Sequence, residues 1–190
     1  MSRSPQNARA KAASSFQLTP EFLNQLRESG NWMIRLSKDG RAYNGFIWNP
    51  VGEWTEAQDW DSKPVCGRGL HGQGPGAWGF AHEGTRLELA ETDPQRIVVG
   101  DNKIKTPRAR ILCTGSEALE TALYLLSGYT FPGSLNLKKI THQLPATLQS
   151  IGGDVDLEGY QHQLPATLQS IGGDVDLRGY QHQLPATLQS

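Results

Sequence analysis

Residues 151–170 read IGGDVDLEGYQHQLPATLQS, and residues 171–190 read IGGDVDLRGYQHQLPATLQS. The two stretches differ only at Glu158 and Arg178. One step earlier, residues 131–150 read FPGSLNLKKITHQLPATLQS. The apolar slots persist there: Phe131 stands for Ile151, Leu135 for Val155, Leu137 for Leu157 and Ile140 for Tyr160. Residues 131–190 therefore hold three units of 20 residues. A unit this short cannot bury its own apolar side, but stacked units cover one another's faces. Val155 and Leu157 are two apart and so share one side of a short strand, with Asp154 and Asp156 opposite. Gly152, Gly153 and Gly159 suit the tight corners of a coil. Leu144 and Leu148 supply another inward edge, and Pro145 fits the corner between them. The pattern predicts a three-coil β-solenoid with strands about 4.8 Å apart between coils.

A repeat sets like residues in rows. His142, His162 and His182 are expected one per coil, as are Asp154 with Asp174 and Asp156 with Asp176. Such rows suit a pH-sensitive face or a cation site. They also arise simply because copying a unit copies its surface, and a row of imidazoles is not a tetrahedral zinc site. The strings LPATLQS and GGDVDLRGYQHQ resemble bacterial 20-residue leucine-rich repeats of the LPxxL type and the similar solenoid repeats of bacterial and phage proteins. The resemblance covers 60 of the 190 residues and lacks the asparagine usual after the strand. It implies a binding scaffold. The last unit has no obvious cap, so either more chain follows Ser190 or the open end docks on a partner or on a second copy.

Toward the N-terminus, residues 18–29 read as a helix. Thr19 is its N-cap, Pro20 its first residue, and Leu18, Phe22, Leu23 and Leu26 form one face, with Gly30 as the stop. Residues 32–36 read as a strand, Asp39-Gly40 as a turn and residues 42–48 as the returning strand. Residues 49–79 hold seven of the 21 glycines and three prolines, which predicts loop. Strands are expected at 85–90, 96–100 and 108–113. A helix capped by Ser116 should run to about Ser127, present Leu119, Ala122, Leu123 and Leu126 on one face, end at Gly128 and cover the first coil.

All five tryptophans, Trp32, Trp48, Trp54, Trp60 and Trp78, fall in this region. They are read first as core; the alternative is an aromatic-lined pocket, because Trp54 and Trp60 sit among Glu53, Glu56, Asp59 and Asp61. The most distinctive local string is Cys66-Gly67-Arg68-Gly69-Leu70-His71-Gly72. Its glycines allow a strained turn and close backbone approach, and His71 can serve as an acid–base group or a hydrogen-bond donor. Only His82 and Cys113 could join Cys66 and His71 in a metal site, at a spacing that matches no zinc pattern. The glycine spacing is neither a phosphate-binding loop of the Walker type nor a dinucleotide fingerprint.

Residues 32–115 resemble a domain of unknown function common in phage, prophage and actinobacterial proteins. The residues that carry this are RAYNGFIW (41–48), EAQDWD (56–61), CGRGLHG (66–72) and DNKIKTPRARIL (101–112). That family often precedes solenoid repeats. More loosely, Tyr43-Asn44-Gly45-Phe46, then Gly69-Leu70-His71, then Ala77 to Ala81, then Leu87-Glu88-Leu89 are similar in order to ADP-ribosyltransferases. Asn44 stands where that family has arginine, and no clear glutamate motif follows. The likeness implies NAD near His71 and Tyr43, with Glu88 as a third catalytic candidate. Nucleic acid through Lys103, Lys105, Arg108 and Arg110 is a further alternative; a solvated sheet face explains the same alternation.

Composition bounds the rest. With 190 residues, 19% charged and 37% apolar, the chain suits one or two folded domains. No apolar run is long enough to span a membrane. A net charge of −1 argues against a general phosphate-binding surface. Two cysteines make no disulfide framework. Residues 1–16 carry Arg3, Arg9 and Lys11 without an apolar run, which reads as a disordered tail rather than a secretory signal, with the cytoplasm as the expected compartment. The expectation is a mostly β, α+β protein: a tail at 1–16, an α+β domain at 17–128 and a solenoid at 131–190. It is read as a non-enzymatic interaction protein of phage or mobile-element origin that binds and blocks or recruits a host protein. Binding is expected through Trp54, Trp60, Arg68, Gly69, Leu70, His71 and Trp78. No cofactor or metal is expected, NAD belonging to the enzyme alternative, and a homodimer through the open coil end is the self-association expected.

Overall fold

The computed structural model of the chain describes residues 17–38, 40–42, 45–74, 84–100, 103–126, 128–138 and 140–188. The expected tail at 1–16, Tyr43, Asn44, Trp78 and His82 lie outside the described residues. The first helix, α1, runs Pro20–Ser29. Thr19 caps it through its side chain, which accepts from the Phe22 N–H, and Gly30 closes it at φ 63°. Seven strands then form one antiparallel sheet: β1 Trp32–Ser37, β2 Trp54–Glu56, β3 Leu70–Gln73, β4 Arg86–Thr92, β5 Ile97–Val99, β6 Lys103–Thr106 and β7 Arg108–Thr114. Their order across the sheet is β2-β7-β4-β1-β3-β6-β5. The architecture is mostly β, α+β, as the sequence implies.

Residues directly opposite in such a sheet share a face. On one face lie Trp32, Ile34, Leu87, Leu89 and Cys113; on the other lie Met33, Ala90, Ala109, Ile111, Leu70 and Ile104 with Trp48. Burial on both faces explains why β1 reads WMIRLS, a near-continuous apolar run, whereas β4, RLELAET, keeps its alternation and sets Glu88 on the second face. The cost is a buried polar pair on the second face. Glu88 is fully buried and accepts from Ser37 Oγ at 2.7 Å and from Arg86, with Arg35 Nε at 3.1 Å. Arg35 lies with its guanidinium 4.0 Å from the centre of the Trp48 ring, and burial lowers its pKa to about 10.

Among the described residues of the expected strand at 42–48, which are 42 and 45–48, no strand forms. Both edges of β1 are taken, by β4 and β3, and Arg41 makes isolated bridges to Lys38 and Ile47 instead. The stretch read as loop, 49–79, instead contributes β2 and β3, each too short to show a period. The second helix, α2, runs Ser116–Leu125. Ser116 is its first residue, not its cap; Gly115, at φ 69°, holds the cap position and offers no side chain.

Past α2 the 20-residue units pair in parallel. Strands β8 (Thr130–Phe131), β10 (Ser150–Ile151) and β12 (Ser170–Ile171) form one ladder. Strands β9 (Leu135–Asn136), β11 (Val155–Asp156) and β13 (Val175–Asp176) form the other. Ile151 pairs with Phe131 and Ile171, and Val155 with Leu135 and Val175, so each register step is one unit. A Cβ on Gly152 would lie 2.5 Å from the Pro132 carbonyl oxygen, which is why the corner is glycine. Tyr160 adds a strut between units: its hydroxyl donates to the His142 carbonyl at 3.1 Å and accepts from the Leu144 N–H at 3.2 Å. Tyr180 repeats the second bond with Leu164 at 3.1 Å.

One apolar cluster runs without a break from Leu26 through Leu119, Ala122 and Leu123 of α2 to Phe131, Val155 and Leu168. The first unit is as fully buried as the second although only one neighbouring unit covers it, Phe131 and Leu137 being 0% exposed. The α2 layer supplies the missing side. Among the described residues no helix is long and apolar enough to cross a membrane.

Leu157 is 0% exposed and its counterpart Leu177 43%, so truncation should separate the two units. Leu157→Ala is expected to cost about 2–5 kcal/mol in urea unfolding, as for other buried leucines. Leu177→Ala should cost little more than about half as much, in proportion to the area it buries. Equal costs would contradict the stacking described.

Candidate functional site

The turn that feeds β3 carries the chemistry the sequence singled out. Gly67, Arg68 and Gly69 have φ of 92°, 51° and 114° in succession, and Arg68 is the non-glycine residue with positive φ among those described. A Cβ at Gly69 would sit 3.0 Å from the Trp60 ring and 3.2 Å from Lys105 Cγ. The turn is held by acids of the preceding loop. The Gly69 N–H donates to Asp59 Oδ1 at 3.0 Å, and Arg68 Nη1 reaches Asp61 at 3.5 Å. Lys105 lies fully buried beneath it. Its Nζ donates to the Lys63 carbonyl at 3.0 Å, stands 3.6 Å from Asp61 and 5.4 Å from the centre of the Trp60 ring.

Cys66 and His71 face this cationic floor. Lys103 Nζ donates to Cys66 Sγ at 2.9 Å, and that bond, with lesser help from the same charge, holds the exposed thiol below its usual pKa. His71 lies opposite Lys105 in the β3–β6 register. Burial first, then Lys103 and Lys105, depress its pKa to about 4, against weaker opposing effects of the Gly67 backbone and Asp59. Neither ring nitrogen makes a hydrogen bond of good geometry. The result is a neutral imidazole with unused donor and acceptor capacity near a lysine-paired thiol. That set can hydrogen-bond a polar ligand, and its thiol is primed as a nucleophile.

The other expected residues separate. Trp60, Arg68, Gly69 and His71 gather at the turn, whereas the Leu70 side chain turns into the second core. Trp54 stands at the opposite sheet edge, where Arg108 and Arg110 lie 4.7 and 5.1 Å from its ring centre. Trp32 and Trp48 are core on opposite faces, so the described tryptophans do not line one pocket. Of the alternative catalytic set, Glu88 is buried on the face opposite His71, and Tyr43 lies outside the described residues. The sheet does not bring His71 and Glu88 together. The expected solvated basic face is met only in part: Arg108 is exposed and pairs with Asp93 at 2.6 Å, Lys103 and Arg110 are half-buried, Arg110 pairing with Glu91, and Lys105 is buried. Reading the sequence missed Asp59, Asp61 and Lys105 as builders of the turn; the alternating KIKT of 103–106 beside an acidic tryptophan loop was the available signal.

The repeat units build a second candidate surface. Thr130 and Ser150 share a 2.6 Å hydroxyl bond, and Asn136 donates to Asp156 at 3.3 Å. Thr167 Oγ1 donates back to the carbonyls of Ala146 and Leu148, and Thr187 does the same to Ala166 and Leu168. The expected histidine row exists. His162 Nε2 meets the Thr141 carbonyl at 3.0 Å and His182 Nε2 the Gln161 carbonyl at 2.9 Å. His142, first in the row, has a buried Nε2 with no partner, and burial plus His162 lowers its pKa to about 4. Carboxylate oxygens of Asp156, Glu158 and Asp176 lie within 4.8 Å of one another and form the candidate cation site among the described residues. The chain's own cations already occupy its edges: Lys138 bonds Glu158 at 2.6 Å and Arg178 reaches Glu158 at 3.3 Å. The Lys138 bond pulls the Glu158 carboxyl below its usual range, and Arg178, which also bonds Asp176 at 2.6 Å, does the same to Asp176. A groove of about 460 Å³ runs beside Leu144, Pro145, Leu164 and Pro165 to Glu120 of α2.

Two measurements check this electrostatic picture. Cys66 should react with iodoacetamide at neutral pH while Cys113, buried and pushed up to about 12, stays protected until unfolding. Equal labelling of both in the folded protein would contradict it. His71 and His142 bind a proton less readily folded than unfolded. Their contribution to stability is therefore complete above about pH 6.5 and falls away as pH drops toward about 4. Urea midpoints should decline across that window, and less steeply in His142→Gln; an unchanged slope would count against the assignment.

No family model matches the chain, and no curated protein or solved structure is significantly similar to it.

Proposed function

We propose that this chain is a non-enzymatic protein-interaction module of phage or mobile-element origin, whose 131–188 region is a short β-solenoid serving as a rigid docking surface for a host protein. The observation that carries the reading is the one-unit register of the two parallel ladders. It sets Thr130, Ser150 and Ser170 in one row and Asn136, Asp156 and Asp176 in another. A row fixed by backbone bonds presents several like contacts at a strand spacing of about 4.8 Å with little ordering cost on binding. The Trp60–Arg68–His71 turn adds a second contact, since it combines an aromatic ring, a cation and an unengaged imidazole. The phage origin rests on the resemblance of residues 32–115 and the repeats alone.

The test places a photo-crosslinking amino acid at Thr147, on the outer face of the first unit, and at Val98, exposed on the far sheet edge. A discrete adduct with one other protein is expected at Thr147 only, and excess unlabelled chain should compete it away. Equal, uncompeted labelling from both positions would overturn the reading. An NAD titration on wild type and His71→Ala separates the enzyme alternative. The proposal expects no saturable binding to either; saturable binding abolished by His71→Ala would replace it.

A further inference from the structure

Lys103 differs from the other cations around the 66–72 turn. Lys105 Nζ is held by the carbonyls of Lys63 and Val65 and stands beside Asp61, and Arg68 also reaches Asp61. Lys103 has no carboxylate partner among the described residues. The hydrogen bond its Nζ makes is to Cys66 Sγ, at 2.9 Å. The two residues are 37 apart in the chain, so the fold alone brings them together. The turn before β3 delivers Cys66, and Lys103 lies opposite Gln73 where β6 pairs with β3. The thiol is exposed, so a small oxidant reaches it from solvent. A thiolate beside a cation is the form of cysteine that oxidants attack.

We propose that Cys66 and Lys103 are the two ends of a redox-switched sulfur–nitrogen cross-link, with hydrogen peroxide or a similar small hydroperoxide as the oxidant. The Cys66 thiolate attacks one peroxide oxygen and the O–O bond breaks. Sulfur gives up an electron pair and becomes a sulfenic acid, while the hydroxide released takes a proton from the Lys103 ammonium and leaves as water. The freed amine then attacks the sulfur. The S–O bond breaks, and its hydroxide departs as a second water with a proton from the same nitrogen. One thiolate, one ammonium and one peroxide thus give one S–N bond and two waters. Sulfenic acids condense in this way with thiols and with backbone nitrogen; at this turn the lysine amine is already in contact. A thiol reductant reverses the link by attack on sulfur and restores both side chains. Cys113 is the internal control, since it is buried and bonded to Thr121 Oγ1 with no amine beside it. The link ties the 66–72 turn to β6 and removes the Lys103 charge, one of those that act on His71 beside its burial. The chemistry belongs to the turn alone and stands whether or not the repeats dock a partner.

The full chain is treated with a modest excess of hydrogen peroxide, quenched with catalase and weighed intact by mass spectrometry without reductant. Wild type should lose the mass of two hydrogen atoms and regain it with dithiothreitol. Proteolysis should yield a peptide that joins Cys66 to Lys103. Lys103→Arg keeps the positive charge without the amine, so it should hold the sulfenic acid at Cys66, and dimedone should label it strongly while labelling oxidised wild type weakly. Cys66→Ser should form no link. Four results overturn the proposal: oxygen gained at Cys66 with Lys103 unlinked; a bond from Cys66 to the Gly67 backbone nitrogen, which maps within one peptide; a disulfide between two chains; or a link that retains a peroxide oxygen between nitrogen and sulfur, seen as a net gain of mass. Circular dichroism checks that the variants fold, and should one fail, the wild-type peptide map decides alone.

Discussion

The structure depends on one constraint, that each 20-residue unit hides its aliphatic side chains only against something laid over it. Leu137, Leu157 and Tyr160 become core by this contact and by no other. It dictates glycine at the corners, where a Cβ at Gly152 would run into the Pro132 carbonyl. It also dictates what must precede the first unit. A helix rich in leucine and alanine fills that place, and the same helix covers one face of the seven-stranded sheet. Because α2 is shared, the sheet and the repeats have one apolar interior, and the boundary near residue 128 separates patterns of sequence more than it separates cores.

The sheet pays attention to two faces, and this shapes the candidate site. Its helix-covered side at β1 and β4 is apolar. At β3 and β6 the same side carries His71, Lys103 and Lys105 under the tryptophan loop, where the helices no longer reach. A buried lysine is tolerated there because carbonyls and Asp61 meet its ammonium, as the general cost of burying a charge requires. Those cations then act on their neighbours, drawing the Cys66 thiol down and adding to the burial that keeps His71 neutral. The second face holds Glu88 between Arg35, Arg86 and Ser37, which makes it a structural ion cluster beneath Trp48. The chemistry that sequence order placed together is thus divided by the thickness of the sheet.

The repeats were legible in the sequence because identity at a fixed period states the register directly: Val155 over Leu135 needs no further information. The capped helix at Thr19-Pro20 was legible for a local reason, the cap and the stop both being encoded within a dozen residues. What failed did so for non-local reasons. Residues 42–48 look like a strand, but β1 has no free edge to give them. Strands β2 and β3, three and four residues long, form because β7 pairs with the first and β1 and β6 flank the second. The turn's chemistry was half visible. Cys66 to His71 stood out by its glycines, while Lys103 and Lys105 read as a solvated face because nothing local says that a loop forty residues away will cover them.

Native-state hydrogen exchange tests the central claim most directly. If the units bury one another against α2, the amides of Leu135, Leu137, Val155 and Leu157, each bonded to a carbonyl of the next unit, will exchange slowly and open together with the core of the sheet. Exchange of those four amides at the rate of an unstructured peptide, with the sheet still protected, would contradict the account.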